Sequence, residues 1–276
     1  MQHPKITFIG GGNMCASLLG GLITDGWPSS HLHAVEPDTT RRDALQTRFN
    51  IQVSPEADNA AQQAAVVVLA VKPQVMQSVC VTLAESVQQH KPLIISIAAG
   101  IHLDDIERWL GGNLAIVRSM PNTPALLQSG ATALYANTRV DNDQKQTAET
   151  ILRAVGLTLW LDDEHMLDAV TALSGSGPAY FFLMMEAMQD AAIKLGLDPQ
   201  QARLLTLQTA FGAAKMALES DQDAAELRHR VTSPGGTTES AISVFESGNY
   251  QQLVEQAMTA ARDRATELAN ILGRDA

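Results

Sequence analysis

Hydrophobic and polar positions follow two different rules along this chain. Up to about residue 163, short apolar runs of strand length are separated by stretches of helical period, and beyond that only the helical period remains. Strands are expected at 5–9, 32–35, 51–53, 65–71, 93–97, 114–118, 131–136 and 157–161, with helices at 13–24, 40–48, 56–64, 74–88, 103–110 and 142–155. The run AVVVLAV (65–71) is apolar throughout, as expected of a parallel strand covered on both faces. Ser54-Pro55-Glu56 reads as the cap and first turn of the 56–64 helix. Strand and helix in turn predict an α/β fold with a doubly wound sheet, whose ligands lie beyond the carboxyl ends of the strands.

The second half predicts helices at 178–196, 199–219, 222–230, 238–247 and 250–272. In PAYFFLMMEAMQDAAIKLG, Pro178 opens and Gly196 closes a helix whose polar residues Glu186, Gln189, Asp190 and Lys194 form one narrow stripe. A helix so apolar around the rest of its circumference needs cover on several sides, more than a domain of about 110 residues provides. An all-α domain that packs against a second copy of itself follows. The expected division is 1–163 for the dinucleotide-binding domain and 164–276 for the helical dimerisation and substrate-binding domain.

Composition narrows the function without naming it. The 276 residues, 45% hydrophobic, can bury a sizeable core, and no apolar stretch reaches the roughly 20 residues needed to span a bilayer. The N-terminus enters a strand directly, so the expected location is cytoplasmic. Cys15 and Cys80 are the only cysteines and are far apart, which suggests neither a disulfide framework nor a thiolate metal site. His31 and His33 have no third ligand nearby in sequence, so no metal is expected. A net charge of −11 argues against nucleic acid as a partner.

Candidate chemistry lies in the loops. ITFIGGGNMCASLLGGLI (6–23) is a strand, a glycine turn and a helix in succession. The first N–H groups of such a helix are unpaired, and glycine lets an anion approach the backbone, as a dinucleotide pyrophosphate requires. The spacing Gly10-x-Gly12-x-x-Cys15 places a thiol at the third position of the dinucleotide fingerprint, where helix packs on strand. AVKPQ (70–74) follows the central strand, placing Lys72 either in the path of a cofactor or in solvent. The small residues of SIAAGI (96–101) leave room for a flat ring, and RSMPNTP (118–124) ends another strand. After the second strand comes VEPDTTRR (35–42), in which Glu36 suits ribose hydroxyls whereas Arg41 and Arg42 suit a 2′-phosphate. In the helical half, SGSGPA (174–179) and TSPGGTT (232–238) run into helices and can either cap them, through Ser176 and Thr237, or hold a carboxylate without a cationic side chain.

FIGGGNM, LAVKPQ, SIAAGI, RSMPNTP, LSGSGPAYFF and VTSPGGTTESAI, in this order over residues 8–242, resemble pyrroline-5-carboxylate reductase, the last enzyme of proline synthesis. The resemblance implies an N-terminal Rossmann domain, a helical dimerisation domain, and homodimers or rings of dimers. It also implies reduction of a cyclic imine by NADPH, with NADH possible. For substrate binding it points to Ser233, Gly236, Thr237 and Thr238, with the Thr238 hydroxyl as the catalytic contact to the ring nitrogen, and to Glu164 as an acidic position near the substrate. For the cofactor it points to Gly10, Gly11, Gly12, Asn13 and Met14 at the pyrophosphate, with Ala70, Val71, Lys72, Pro73, Ala98 and Ala99 along the rest, whereas Glu36, read at the ribose, argues for NADH. Arg230 stands where some members carry an asparagine beside the cofactor, and Asn59 precedes Lys72 by thirteen residues where about fifteen is usual. Two rivals use the same fold signal. One is a β-hydroxyacid-type dehydrogenase, with Lys194 as its acid/base, and the other is a non-catalytic NADP-sensing protein, which leaves SPGGTT without a purpose.

Overall fold

The computed structural model describes residues 3–57 and 61–273. Contacts divide the chain into two units, residues 1–176 together with 260–276, and residues 177–259. In the first unit, β1 (Ile6–Ile9), β2 (Leu32–Val35), β3 (Gln52–Ser54), β4 (Val66–Leu69), β5 (Leu93–Ser96), β6 (Ile116–Met120), β7 (Gly130–Ala136) and β8 (Gly156–Trp160) form one sheet in the order β3-β2-β1-β4-β5-β6-β7-β8. Every neighbouring pair is parallel except β6 and β7. The first six strands have the order of a dinucleotide-binding sheet, and the chain reverses direction across the sheet between β1 and β4.

The central strands β1, β4 and β5 are buried on both faces, which explains their continuous apolar runs. Ile6, Phe8, Val66 and Val68 share one core with Leu18 and Leu22 of α1 (Asn13–Thr24) and Ile151 and Leu152 of α5 (Asn142–Arg153). On the other face Ile9, Val67, Leu69 and Ile94 pack with Met76, Cys80, Leu83 and Val87 of α3 (Met76–His90) and Ile106 of α4 (Leu103–Trp109). Local signals set the helix ends. Asp38 accepts the Arg41 N–H at the start of α2 (Thr39–Phe49), and Asp141 with Gln144 forms a reciprocal capping box on α5.

Three features differ from the sequence expectation. Residues 58–60 of the expected 56–64 helix lie outside the described residues, and the flanking positions 55–57 and 61–64 are not helical, with a turn at 61–63. Ser54 cannot cap a helix there, because it belongs to β3 and its hydroxyl is engaged by His33 Nε2 and the Glu56 carbonyl. Beyond residue 164 the chain forms α6 (Met166–Val170) and then one wide turn over Thr171–Gly175 in π-helical form, closed by Ser176 N–H donating to Thr171 O. Finally, the division of contacts falls at 176/177 and not at 163/164, because α6 packs on β6 and β7 and the chain returns to the sheet unit from residue 260.

The second unit contains α7 (Gly177–Lys194), α8 (Pro199–Glu219), α9 (Ala224–Arg230), α10 (Thr237–Ser247) and the beginning of α11 (Tyr250–Leu272). Gly196, at φ +103°, ends α7 as expected, and Asp198 caps α8 ahead of Pro199. Ala202 and Thr206 of α8 are buried. Phe181, Phe182 and Leu183 of α7 are instead 64–66% exposed in the single chain, together with Leu204, Leu205 and Phe211 of α8. Among the described residues no helix is long and apolar enough to cross a membrane.

Gly21 marks the tightest packing of α1, since a Cβ there would lie 2.9 Å from the Ala154 carbonyl carbon and 3.1 Å from a Val155 methyl. Alanine is normally favoured over glycine inside a helix by about 1 kcal/mol. Here the clash reverses the sign, and Gly21→Ala is expected to cost about 2 kcal/mol, measured as a lowered Tm. A raised Tm would show that α1 is not clamped at this point.

Candidate active site

The crevice where the sheet reverses is lined by backbone. Gly10, at φ +103°, follows β1 and donates its N–H to Val35 O at 2.8 Å, and a Cβ on it would fall 2.7 Å from Ala70 O. Only glycine fits so close an approach in that conformation. Gly12 begins α1 without any side-chain cap, and the space beside its Cα is open to 4 Å and beyond. The first amides of α1, from Asn13 and Met14 onward, are donors without a helical partner, next to room for a ligand. Cys15 is buried against the core that holds Ile6 and Phe8, as the third fingerprint position requires. Burial and then Glu36 push its thiol pKa far up, so it is an inert packing group.

Glu36, at the end of β2, is 6% exposed and uses both carboxylate oxygens. Oε2 accepts the Gly11 N–H at 2.8 Å and Oε1 accepts the Asp38 N–H at 3.0 Å. Arg42 donates to the carbonyls of Glu36 and Pro37 and to the Thr39 hydroxyl, bracing this turn, whereas Arg41 is exposed. At the end of β4, Ala70 N–H donates to Ile9 O, and exposed Lys72 precedes the helical turn Pro73–Val75. After β5, Ala98 is buried and Ala99 half-buried, with Ala98 N–H donating to the Ser96 hydroxyl. Adjacent strands therefore bring together Gly10, Gly11, Gly12, Asn13, Met14, Glu36, Ala70, Val71, Lys72, Pro73, Ala98 and Ala99 beyond the carboxyl ends of β1, β2, β4 and β5. Asn59 lies outside the described residues. Arg230 belongs to the helical unit, where it ends α9 exposed and donates to Gln222 Oε1 at 2.6 Å.

In the helical unit, TSPGG turns into α10. Gly235 is at φ +72°, and Gly236 begins the helix without a side-chain cap. Thr237 is thus the first helical residue and not the cap, and Thr238 follows it half-buried. The Gly236 N–H is taken by Ser233 O at 3.0 Å, and the Gly235 N–H by Glu239 Oε2 at 2.7 Å. What remains is a helix mouth with unpaired amides, two threonine hydroxyls and the Ser233 hydroxyl, suited to a carboxylate.

Glu164 lies elsewhere, in a polar cluster within the sheet unit. Its Oε1 accepts from Arg118 Nη1 at 2.7 Å and from Leu103 N–H at 2.7 Å, and His102 Nδ1 stands 3.7 Å away. Burial opposes ionisation, but His102, Arg118 and the Leu103 amide outweigh it and hold the carboxyl at about 2. Glu164 in turn raises His102, against burial and the Arg118 charge. The carboxylate of Glu164, expected near the substrate, is engaged by these protein donors. Arg118, His102 and Asp168, which accepts from the Thr266 hydroxyl at 2.7 Å, were not among the expected site residues. A charge inside the apolar strand IVRSM was the one available signal. Among the described residues no group of three or more His, Cys, Asp or Glu is placed to hold a metal ion, and His31 and His33 bond separately to His3 O and Ser54 Oγ.

Residues 164–268 match the family model for pyrroline-5-carboxylate reductase dimerisation, and residues 5–100 match that for NADP oxidoreductase, coenzyme F420-dependent. The chain is 53% identical to pyrroline-5-carboxylate reductase of Pseudomonas aeruginosa over 274 residues, 99% of this chain and 100% of the relative. It superposes on a pyrroline-5-carboxylate reductase structure from Coxiella burnetii with a TM-score of 0.93 at 48% identity, covering 97% and 99% of the two chains. The Plasmodium falciparum pyrroline carboxylate reductase, crystallised with NADP bound, gives a TM-score of 0.86 at 28% identity, with 98% and 99% covered.

The Glu164 cluster generates a stability prediction. Glu164 is depressed from its ordinary 4.5 to about 2, so its contribution of about 3 kcal/mol is complete above pH 4.5 and is lost as pH falls through the folded value. Glu164→Gln should therefore destabilise the protein by about 3 kcal/mol at pH 7 in urea unfolding, with a gap from wild type that narrows steadily below pH 4.5. A gap independent of pH would show that the carboxylate is not ionised against Arg118.

Proposed function

The chain belongs to the pyrroline-5-carboxylate reductase family, and on that premise we propose that it reduces 1-pyrroline-5-carboxylate to L-proline with NADPH, and also with NADH, in the cytoplasm. One observation carries the reading of the site: α10 begins on Gly236, in SPGGTT, with no side chain meeting its first amides. Such a mouth binds a carboxylate through dipoles alone, a necessity in a protein of net charge −11.

When bound, the reduced nicotinamide supplies a hydride to the imine carbon, while the C=N π pair moves to nitrogen and takes up a proton. Everything else falls to the chain's own groups. The amides at Thr237 and Thr238, with the Ser233 hydroxyl and the backbone at Gly236, hold the substrate carboxylate. The Thr238 hydroxyl donates a hydrogen bond to the ring nitrogen, which draws charge from the carbon under attack. The open space at Gly12 and the uncapped start of α1 suit a pyrophosphate, Glu36 suits ribose hydroxyls, and Lys72 and Pro73 continue the cofactor track toward Ala98 and Ala99. Rate then depends mainly on holding two reactants in register. The exposed apolar faces of α7 and α8 support self-association of the helical unit as a homodimer or a ring of dimers.

An assay of NADPH oxidation dependent on pyrroline-5-carboxylate tests the activity directly, with proline as the product to be identified. Thr238→Ala is expected to lower kcat by tenfold or more with cofactor Kd nearly unchanged, and an unchanged kcat would remove that hydroxyl from the mechanism. Because Glu36 and Arg42 make opposing demands on a 2′-phosphate, kcat/KM for NADPH and NADH should differ by less than a hundredfold. A larger NADH preference would contradict the assignment of NADPH.

A further inference from the structure

An ion pair largely removed from water is a poor source of net stability, since apolar residues of similar size serve as well. Arg118, with only 4% of its side chain exposed, nevertheless sits in β6 beside Ile116 and Val117. Its position is what stands out. Arg118 is in register with Ser96, the last residue of β5, and its neighbour Ser119 donates to Ser96 O at 2.9 Å. The next residues, Ile97 to His102, form the loop that carries Ala98 and Ala99. At the near end of the loop the Ser96 hydroxyl accepts the Ala98 N–H. In the middle, Gly100 at φ +68° lies against Ala265 and Ala269 of α11. At the far end, Leu103 N–H, the first amide of α4, is met by no side chain of its own helix and donates to Glu164 Oε1. Glu164 precedes α6, and α6 leads on to the SGSG segment.

We propose that Arg118, Glu164 and His102 form a partly buried brace that fixes the Ala98–Ala99 loop in the shape hydride transfer requires, which makes Glu164 a positioning residue and not a substrate ligand. The inference rests on the reading of that loop as the surface against which the nicotinamide lies. A loop six residues long, built of small side chains at Ala98 and Ala99 and with a glycine in the left-handed region, has little stiffness of its own. The brace ties the far end of the loop to β6 through Glu164 and His102, while Ser119 of the same strand holds the near end. His102 Nδ1 is 3.3 Å from Arg118 Nη1 and 3.7 Å from Glu164 Oε1, with His165 edge-on at 6.1 Å and Asp168 as the remaining charge nearby. Neutral His102 accepts from Arg118, and protonated His102 turns a donor toward Glu164, so the brace has a pH-dependent form.

The test uses the full-length enzyme in three forms: wild type, Glu164→Gln, and the double variant Arg118→Met with Glu164→Met, which replaces the pair by apolar volume and so preserves folding. Two readouts are taken, the fluorescence and Kd of bound NADPH without substrate, and steady-state kinetics over pH. The brace predicts that both variants bind NADPH within threefold of wild type but lose the emission change that marks a held nicotinamide. It also predicts kcat reduced tenfold or more, a larger isotope effect from deuterium at the transferred position, and an acidic limb of the kcat profile shifted to lower pH in Glu164→Gln. Recovery of kcat and emission in the folded double variant would show a purely structural pair and overturn the proposal. A defect confined to KM for pyrroline-5-carboxylate would overturn it too, because that marks a direct substrate ligand. If wild type lacked turnover altogether, the functional reading would fall, and the emission of bound NADPH would still decide the brace.

Discussion

The first turn of an α-helix carries N–H groups that the helix cannot pair for itself. Four helices here resolve this with an aspartate, Asp38, Asp141, Asp198 and Asp223, each accepting from an amide of the first turn. A fifth, α4, is met by Glu164 from a distant segment. The helices α1 and α10 start on glycine and have no such side chain. Their free donors set the character of the molecule. They offer fixed, uncharged positive poles where anionic groups can bind, on a protein whose overall charge repels anions.

The scaffold that presents these donors is built by ordinary forces. Strands buried on both faces fix the sheet, and its reversal between β1 and β4 leaves a crevice that only backbone can line. At Gly10 the approach to Ala70 O is so close that a side chain is excluded, which serves both packing and ligand access. The helical unit follows a different logic. Its single copy leaves Phe181, Phe182 and Phe211 in solvent, so its apolar surface is completed by association and not by more chain. The family relationship, which runs through a dimerisation model over residues 164–268, is consistent with that accounting.

Much of this was legible in the sequence because it is written in local signals. The eight strands and the long helices announce themselves by period, and the glycine turn, the SIAAGI loop and SPGGTT by residues that leave backbone bare. What was not legible depends on contacts distant in sequence. The partners of Glu164, Arg118 and His102, are 46 and 62 residues away in other elements, so the cluster they form has no local signature. Ser54-Pro55-Glu56 looked like a helix start, but β3 claims Ser54 first. The boundary near 163 was placed where strands end, whereas α6 and the C-terminal part of α11 still pack on the sheet unit, which no periodicity reports. The Arg230 bond to Gln222 Oε1 and the start of α10 on Gly236, one residue ahead of Thr237, are likewise details of local geometry that residue type alone does not report.

A crystal structure of the enzyme with NADP and proline bound together tests the central claim most directly. The account predicts the proline carboxylate on the amides of Thr237 and Thr238 and the ring nitrogen beside the Thr238 hydroxyl, with the pyrophosphate at the start of α1. A carboxylate held by an arginine or lysine away from α10, or a pyrophosphate remote from Gly12, would contradict it.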